Sequence, residues 1–515
     1  MKLLLISPNW KWCEEDKNVD YPFPPYNLCL LAAIIRNQKI CEGDDIRIID
    51  AFVDDMSLSD VKSEIEEYKP DVMGTTVLMD QLCDGGHMVT KITKEVDKKI
   101  ITVMGGVYAT MNPKRAIEDV NLDYVVVGEG EQVFPSMLKF FKGEDKELPP
   151  KGIMYRKDGE IIFNGRSDFV TDMDNLPIPA WDLIDFPAYS DHVARQFSPD
   201  SPRDLPYVRL YTSRGCPFTC SFCQVPKIAG HTVRRQSAKR VLDELEFITK
   251  TFGIKSFMNS DDNFLATGKE NLKEFLLGLR DRKLGLTWIF EDVGVMHLTK
   301  EKIDWLAESG CTYMGFAVET GVMRISKELI AGKPLRLDHS IEMMRYAQSK
   351  GIFCAANFII GFPTETWDEV RESLLFAEKL NADYTRIHIL VPLKNTKMFE
   401  MVEDENLLNE RYDHFNQKAT WKAGTIESRN YTSNDLTILK AMEWDRLNFS
   451  DPVKRKKIAD WLRVTEKELL QRRRQTIDSI YRNMNQSTKS GVYKDSDRKD
   501  FTAATFERVD GPLAT

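Results

Sequence analysis

Apolar and polar positions follow two alternating periods over residues 1–145. Leu3–Ser7, Ile46–Ile49, Val72–Val77, Ile100–Met104 and Tyr124–Val127 are short runs rich in branched apolar residues. Between them, Tyr26–Asn37, Leu58–Tyr68, Gly85–Lys98, Pro113–Val120 and Val133–Lys142 carry apolar residues at helical spacing. This strand–helix alternation predicts an α/β, doubly wound parallel sheet of Rossmann-like type. Ligands of such sheets lie beyond the carboxyl ends of the strands. Gly105-Gly106 follows one predicted strand and Gly128-Glu129-Gly130-Glu131 the next. Glycine there lets a ligand lie against the backbone. No G-x-G-x-x-G follows the first strand, so a dinucleotide fingerprint is absent.

Residues 146–206 break the pattern. Ile153–Arg156 and Ile161–Asn164 flank Lys157-Asp158-Gly159 and predict a hairpin. Repeated prolines from Pro177 to Pro206 predict an irregular linker. From 207 to 390 the chain repeats strand then helix. Strands are expected at Tyr207–Thr212, Ser256–Asn259, Leu286–Glu291, Tyr313–Val318, Phe353–Ile360 and Thr385–Leu390. Helices are expected near 237–252, 269–283, 299–309, 335–350 and 366–380. Six such units predict a partial (β/α)6 TIM-type barrel, whose site belongs at the strand C-terminal ends. Residues 391–515 read as a helical C-terminal extension with a polar tail after about 485. The basic runs Lys454–Lys457 and Arg472–Arg474 read first as solvated helix faces, or else as contacts for an anionic partner.

A length of 515 residues exceeds one ordinary domain. The boundaries expected are 1–145, 146–206, 207–390 and 391–515. The net charge of −9 argues against nucleic acid bound through bulk positive charge. No apolar run reaches membrane-spanning length. The nine cysteines are odd in number and six are scattered, and no signal peptide is legible. Both features point to free thiols in a reducing cytoplasm.

The other three cysteines carry the chemistry. Cys216, Cys220 and Cys223 fall within eight residues, spaced C-x3-C-x2-C, just after a strand-like run. They are too close together for ordinary structural disulfides. Clustered thiolates favour iron–sulfur, zinc or copper(I). A structural zinc site would be closed by four ligands. Here the fourth is missing from the loop, and His231 is the nearest candidate if the metal is zinc. On a [4Fe–4S] cube, three cysteines leave one iron open.

This spacing, with Phe222 before the last cysteine, resembles the radical S-adenosylmethionine (SAM) signature, in which the open iron takes SAM. Further residues follow in the order that family requires. Asp261, Asp262 and Asn263 of Ser260-Asp-Asp-Asn resemble the segment serving the SAM amino group. Glu319 resembles the ribose-contacting carboxylate. Gly361 and Glu365 in Ile360-Gly-Phe-Pro-Thr-Glu resemble the adenine-binding segment. Taken singly, the aspartates could instead cap a helix and Glu365 could open one. Arg234-Arg235-Gln236 is either a contact for SAM or cobalamin or a solvated turn. Val391–Thr396 resembles the family's closing P-x-P-G-T loop, with Asn395 in the glycine's place.

In the N-terminal region, Thr76-Val77-Leu78 and Gly105-Gly106 resemble the S-x-L…GG part of the cobalamin-binding fold, with Gly128, Glu129 and Gly130 beside them. The histidine-bearing D-x-H-x-x-G is missing. The resemblance therefore implies cobalamin with its base detached and no histidine beneath cobalt, although His87 or Gln81 could approach that face. Tyr21–Tyr26 and Leu176–Asp185 also look like the lead-in to the first helix and the linker of cobalamin-type radical SAM proteins.

The resemblance, over about residues 1–425, is to class B cobalamin-dependent radical SAM enzymes. It implies three cofactors: a [4Fe–4S] cluster on the three cysteines, SAM and cobalamin. It also implies a flavodoxin- or ferredoxin-type reductant and a small-molecule substrate. The activity implied is methylation of an unactivated carbon through a deoxyadenosyl radical and methylcobalamin. The alternatives are a cobalamin-using radical cyclase, ring-contracting or oxidising enzyme, and a non-enzymatic cobalamin sensor. A methylthiotransferase would need three further cluster cysteines, and Cys13, Cys29, Cys41 and Cys83 are not spaced for that.

Overall fold

In a computed structural model the chain is described at residues 1–12, 23–41, 45–195, 198–409, 415 and 424–487. Cys13, Tyr21, Pro22 and the polar stretch after 487 lie outside the described residues.

Among the described residues the N-terminal sheet has seven strands, in the order β2-β1-β3-β4-β5-β6-β7. They are β1 (Leu3–Ser7), β2 (Ile46–Asp50), β3 (Val72–Thr76), β4 (Ile101–Gly105), β5 (Tyr124–Val126), β6 (Ile153–Lys157) and β7 (Glu160–Phe163). The first five are parallel, as the alternation predicts. The hairpin β6–β7 adds to β5 antiparallel and extends the sheet. Helices Tyr26–Asn37 and Gly130–Phe141 cover one face, burying Leu28, Ala32, Phe134 and Leu138 against Leu3, Leu5, Val72 and Val103. Helices Leu58–Tyr68 and Cys83–Val96 cover the other, over Leu4, Ile6 and Met73. Helix Leu58–Tyr68 starts where Ser57 and Asp60 form a capping box. The register aligns Ser7 with Asp50 and Thr76 with Gly105, so several strand ends open into one space.

The second sheet is the predicted partial barrel. It begins with β8 (Tyr207–Leu210), followed by the short pair β9 (Ser213–Arg214) and β10 (Arg234–Arg235). Then come β11 (Ser256–Asn259), β12 (Thr287–Val293), β13 (Cys311–Glu319), β14 (Phe353–Ile360) and β15 (Tyr384–Ile389). The long strands pair in parallel in the order β15-β14-β13-β12-β11-β8. Period two sorts their side chains. Phe257, Trp288, Phe290, Met314, Phe316, Ala356 and Phe358 face the outer helices. Met258, Ile289, Tyr313, Phe353, Ala355 and Tyr384 face inward and pack on Phe449, Ile458 and Leu462 of the C-terminal helices. Helices Ser433–Phe449, Pro452–Leu462 and Glu466–Ser487 therefore complete the lower barrel. The basic runs mix exposed with engaged positions. Lys457 Nζ lies 2.6 Å from Asp383 and Arg455 Nε 3.0 Å from Glu466, while Arg473 pairs with Asp445.

Candidate active site between the two sheets

The cysteine loop leaves β9 and returns through β10, whose antiparallel pairing closes its base. Gly215 opens the loop at φ +94°, and a Cβ there would sit 2.5 Å from the Thr232 carbonyl oxygen. Only glycine fits this turn. Asp261 accepts hydrogen bonds from the Thr212 amide (2.6 Å), the Thr212 hydroxyl (2.5 Å) and the Ser213 hydroxyl (2.7 Å). Asp262 accepts from the Gly215 amide at 2.7 Å. Both carboxyls thus hold the loop's first leg. Burial pushes the Asp261 carboxyl up to about 6 against the pull of these donors. The second leg is fixed by the Ser221 amide to the Ile330 carbonyl (2.8 Å) and the Met398 amide to the Ser221 carbonyl (3.0 Å).

The three thiols are partly exposed and free. Burial, with the neighbouring cysteines adding, pushes Cys220 up to about 11 and Cys223 up to about 12. Three thiolates this close need a cationic centre to offset them. Asn263 Nδ2 lies 3.6 Å from Cys216 Sγ, while its buried Oδ1 has no partner among the described residues. Among the described residues no three His, Cys, Asp or Glu side chains are already drawn into a metal cage, and His231 stands exposed. The fit to a cluster rests on the soft donor set and this orphaned oxygen.

The barrel rim supplies the neighbouring wall. Glu319 ends β13 at φ +70°, a strained position for a residue with a side chain, and its carboxylate meets Lys333 Nζ at 2.7 Å. Gly361 turns at φ +91° after β14. Glu365 is fully buried beneath that turn and accepts from the Gly361 amide (2.6 Å) and the Phe362 amide (3.1 Å). Burial pushes its carboxyl up to about 8. Tyr431 donates to the Phe362 carbonyl at 2.6 Å, so the C-terminal region also braces the turn. Phe222 packs in the same apolar cluster as Phe362, Leu390 and Met398. Asn395 adopts φ +64°, a conformation asparagine tolerates better than most residues, which is why it can replace glycine there.

A cavity of about 330 Å³ lies between the two sheets. Thr76, Leu78, Gly105, Gly106, Gly128, Glu129 and Gly130 line it from the N-terminal side, and Arg209, Ser213, Arg214 and Asp262 from the barrel side. A Cβ on Gly106 would lie 2.6 Å from the Val77 carbonyl oxygen, so bare backbone forms part of the wall. Thr76 Oγ1 accepts from Asn27 Nδ2 at 2.9 Å. Thr75 Oγ1 is buried in the wall without a partner among the described residues, as expected of a group awaiting a ligand.

Two arginines tie the cavity to the loop. Arg214 meets Glu131 at 2.6 Å and Glu129 at 3.2 Å. Arg234 makes two bonds to Glu129, at 2.8 and 2.9 Å. Both Glu129 oxygens are therefore engaged by arginines, while the residue still lines the cavity. Arg234 is neither a solvated turn nor a cavity-lining contact. His87 and Gln81 do not line the cavity either. His87 bonds Asp119 (2.9 Å) and the Tyr108 hydroxyl (3.0 Å), and Gln81 is buried.

The family model for the B12 binding domain matches residues 17–138, and that for the radical SAM superfamily matches residues 210–377. The chain thus joins a B12 binding domain to a radical SAM domain. An uncharacterized methyltransferase of Pyrococcus horikoshii is 29% identical over 79% of this chain and 84% of its own length. The cytidylyl-2-hydroxyethylphosphonate methyltransferase of Streptomyces wedmorensis is 26% identical over 82% of this chain and 85% of its own. The anaerobic magnesium-protoporphyrin IX monomethyl ester cyclase of Rubrivivax gelatinosus is 26% identical over 79% and 70%. The solved structure of the cobalamin-dependent SAM radical enzyme OxsB, with aqua-cobalamin and SAM bound, matches with a TM-score of 0.68. It is 17% identical and covers 99% of this chain and 83% of OxsB.

In this radical SAM protein with a B12 binding domain, the cysteines and Asp261–Asn263 form one cluster, and Glu319, Gly361 and Glu365 lie on the barrel rim. The N-terminal residues named from sequence meet at the cavity. The sequence reading missed Thr75, Asn27, Arg209 and the pairing of Arg214 with the glutamates. Arg214 directly precedes Gly215-Cys216, which was a signal that something must hold that loop.

Proposed function

We propose that this chain is a SAM- and cobalamin-dependent methyltransferase that methylates an unactivated carbon of a small molecule. The observation that carries this reading is the shared cavity, in which bare strand ends of one sheet face the anchored base of the cysteine loop. When bound, the cofactors supply radical generation from SAM and a transferable methyl group.

The residues supply position and exclusion of water. Cys216, Cys220 and Cys223 hold the cluster through soft sulfur. Asp261 and Asp262 orient the loop, and Asn263 offers its unpaired oxygen to the SAM amino group. Glu319 accepts from the ribose hydroxyls, with Lys333 fixing its carboxylate. Glu365 holds the Gly361–Phe362 backbone as a shelf for adenine, flanked by Phe222. Thr75, Thr76, Leu78, Gly105, Gly106, Gly128 and Gly130 form the slot for cobalamin, and Glu129 steadies its edge. The free, mostly buried cysteines support a reducing cytoplasm, where a flavodoxin- or ferredoxin-type protein would deliver electrons. No helix of the described residues is long and apolar enough to cross a membrane.

The test is anaerobic reconstitution with iron, sulfide, cobalamin, SAM and a strong reductant, followed by product analysis against a panel of small molecules. S-adenosylhomocysteine and deoxyadenosine should both form, with a methylated product. Deoxyadenosine with no S-adenosylhomocysteine under any condition would instead favour the cyclase-type reading, which the similarity to the Rubrivivax enzyme keeps in view.

A further inference from the structure

Among the described residues six charged side chains line the cavity: Asp50, Glu129, Glu131, Arg209, Arg214 and Asp262. Five have their charge met or suppressed by the protein. Asp50 accepts from the Tyr189 hydroxyl at 2.9 Å and from the Phe52 amide at 3.2 Å. Glu129 and Glu131 meet Arg214, and Arg234 adds to Glu129. Asp262 accepts from the Gly215 amide.

Arg209 is the exception. Among the described residues it donates only Nε, to Ser260 Oγ at 2.6 Å. Its guanidinium lies 4.0 Å over the Phe23 ring and 5.4 Å from the Tyr211 ring. Among the described residues no carboxylate pairs with it, and its two terminal nitrogens have no acceptor. An arginine does not shed its proton in a protein, so the charge persists. Phe23 fixes the plane of the fork and Ser260 fixes its rotation. A planar fork held this way matches the paired oxygens of a carboxylate, phosphate or phosphonate. Ser260 immediately precedes Asp261–Asn263, so the fork is held beside the base of the cysteine loop.

We propose that Arg209 is the receptor for an anionic group on the substrate. The substrate class is then a small molecule bearing a phosphate, phosphonate or carboxylate, rather than a neutral hydrocarbon or a cation. A cation would meet Arg209 and find every cavity carboxyl already engaged. This rests on the methyltransferase reading only in calling the bound molecule a substrate.

The test uses holoenzyme loaded with cobalamin, cluster and SAM, observed by saturation-transfer NMR. The probes are methylphosphonate and acetate, with N-methylacetamide as the neutral control, all seen through methyl protons. At least one anion should bind the wild type, bind R209Q about tenfold or more weakly, and partly recover in R209K. N-methylacetamide should not distinguish the three proteins. Visible and EPR spectra should show cobalamin and SAM retained in R209Q. Equal anion binding in R209Q, no anion binding to the wild type, or loss of either cofactor from R209Q would each overturn the proposal. The readout needs no turnover. Holoenzyme that binds anions through Arg209 but never makes S-adenosylhomocysteine would keep this inference and sink methyl transfer.

Discussion

Arg214 Nη2 stands 2.6 Å from Glu131 Oε1, joining the residue two before Cys216 to the first turn of helix Gly130–Phe141. Glu129 lies 3.2 Å from the same guanidinium and bonds Arg234 on the far side of the loop. Two carboxylates and two arginines form a compact, largely buried set that is neutral overall. Burial raises the Glu129 carboxyl, but Arg234 and Arg214 outweigh that and hold it below its ordinary value. The Arg214 charge is held in turn by Glu131 and Glu129 against burial. The set ties the base of the cysteine loop to the N-terminal sheet through the protein's own side chains.

Glu129→Gln should strand one positive charge among buried groups. Breaking such a pair costs about 3 kcal/mol or more. Glu131→Gln should cost less, because Arg214 keeps Glu129. Chemical denaturation of the apo proteins checks the order. If the two variants were equally stable, the four groups would not act as the set described.

Thr75→Val separates a ligand's partner from a structural one. The Thr75 hydroxyl is buried with no partner among the described residues, so replacing it by a methyl group of the same shape removes an unmet cost. The apo protein should melt at the same temperature or higher, by up to about 1 kcal/mol in stability. Cobalamin affinity should fall about three- to tenfold if the hydroxyl bonds the cofactor. Spectroscopic titration with cobalamin and a melt of the apo protein are both needed. A less stable variant with unchanged affinity would sink the assignment.

What was legible in the sequence was local. The two parallel sheets follow from apolar runs and helical spacing within short windows, and the cysteine loop follows from eight consecutive residues. The cavity wall was half legible, because Gly105-Gly106 and Thr76 sit at strand ends. The rest depended on separation along the chain. Arg214 and Glu131 are paired across two sheets, and nothing within a window of either one names the other. Thr75 differs from Thr76 only in which way its side chain points and whether a donor lies there. Glu365 was legible as a polar residue after a strand but not as one buried beneath its own turn. Nothing near His87 in sequence names Asp119 and Tyr108, which hold its ring.

Glu365 gives the fold a pH dependence whose sign is set by burial. Its carboxyl ionises near 4.5 unfolded and near 8 folded, so the native state holds the proton that the unfolded state releases between these values. Stability from this group is therefore fully present below about 4.5 and declines as pH rises toward about 8. Glu365→Gln keeps an oxygen for the Gly361 and Phe362 amides and removes the titration. Melting temperatures of the apo proteins between pH 5 and 8 should fall less steeply for the variant. Parallel curves would mean that Glu365 is ionised in the fold. Asp50, which burial pushes up to about 7, contributes a slope of the same sign to both proteins and cancels in the comparison.

Replacing Cys216, Cys220 and Cys223 together by serine tests how the two halves divide the work. Serine keeps nearly the same volume but offers a hard oxygen that iron–sulfur clusters take poorly. The loop is held by Asp261, Asp262, Arg214 and Ser221, none of which uses a cysteine thiol. It should therefore keep its shape, and the barrel side of the cavity should stay in place. The variant should lose the cluster's visible absorbance and all SAM cleavage, while cobalamin affinity changes by no more than about twofold. Loss of cobalamin binding as well would show that the cluster orders the cavity wall. In that case the arginine–glutamate set would not fix the loop without it.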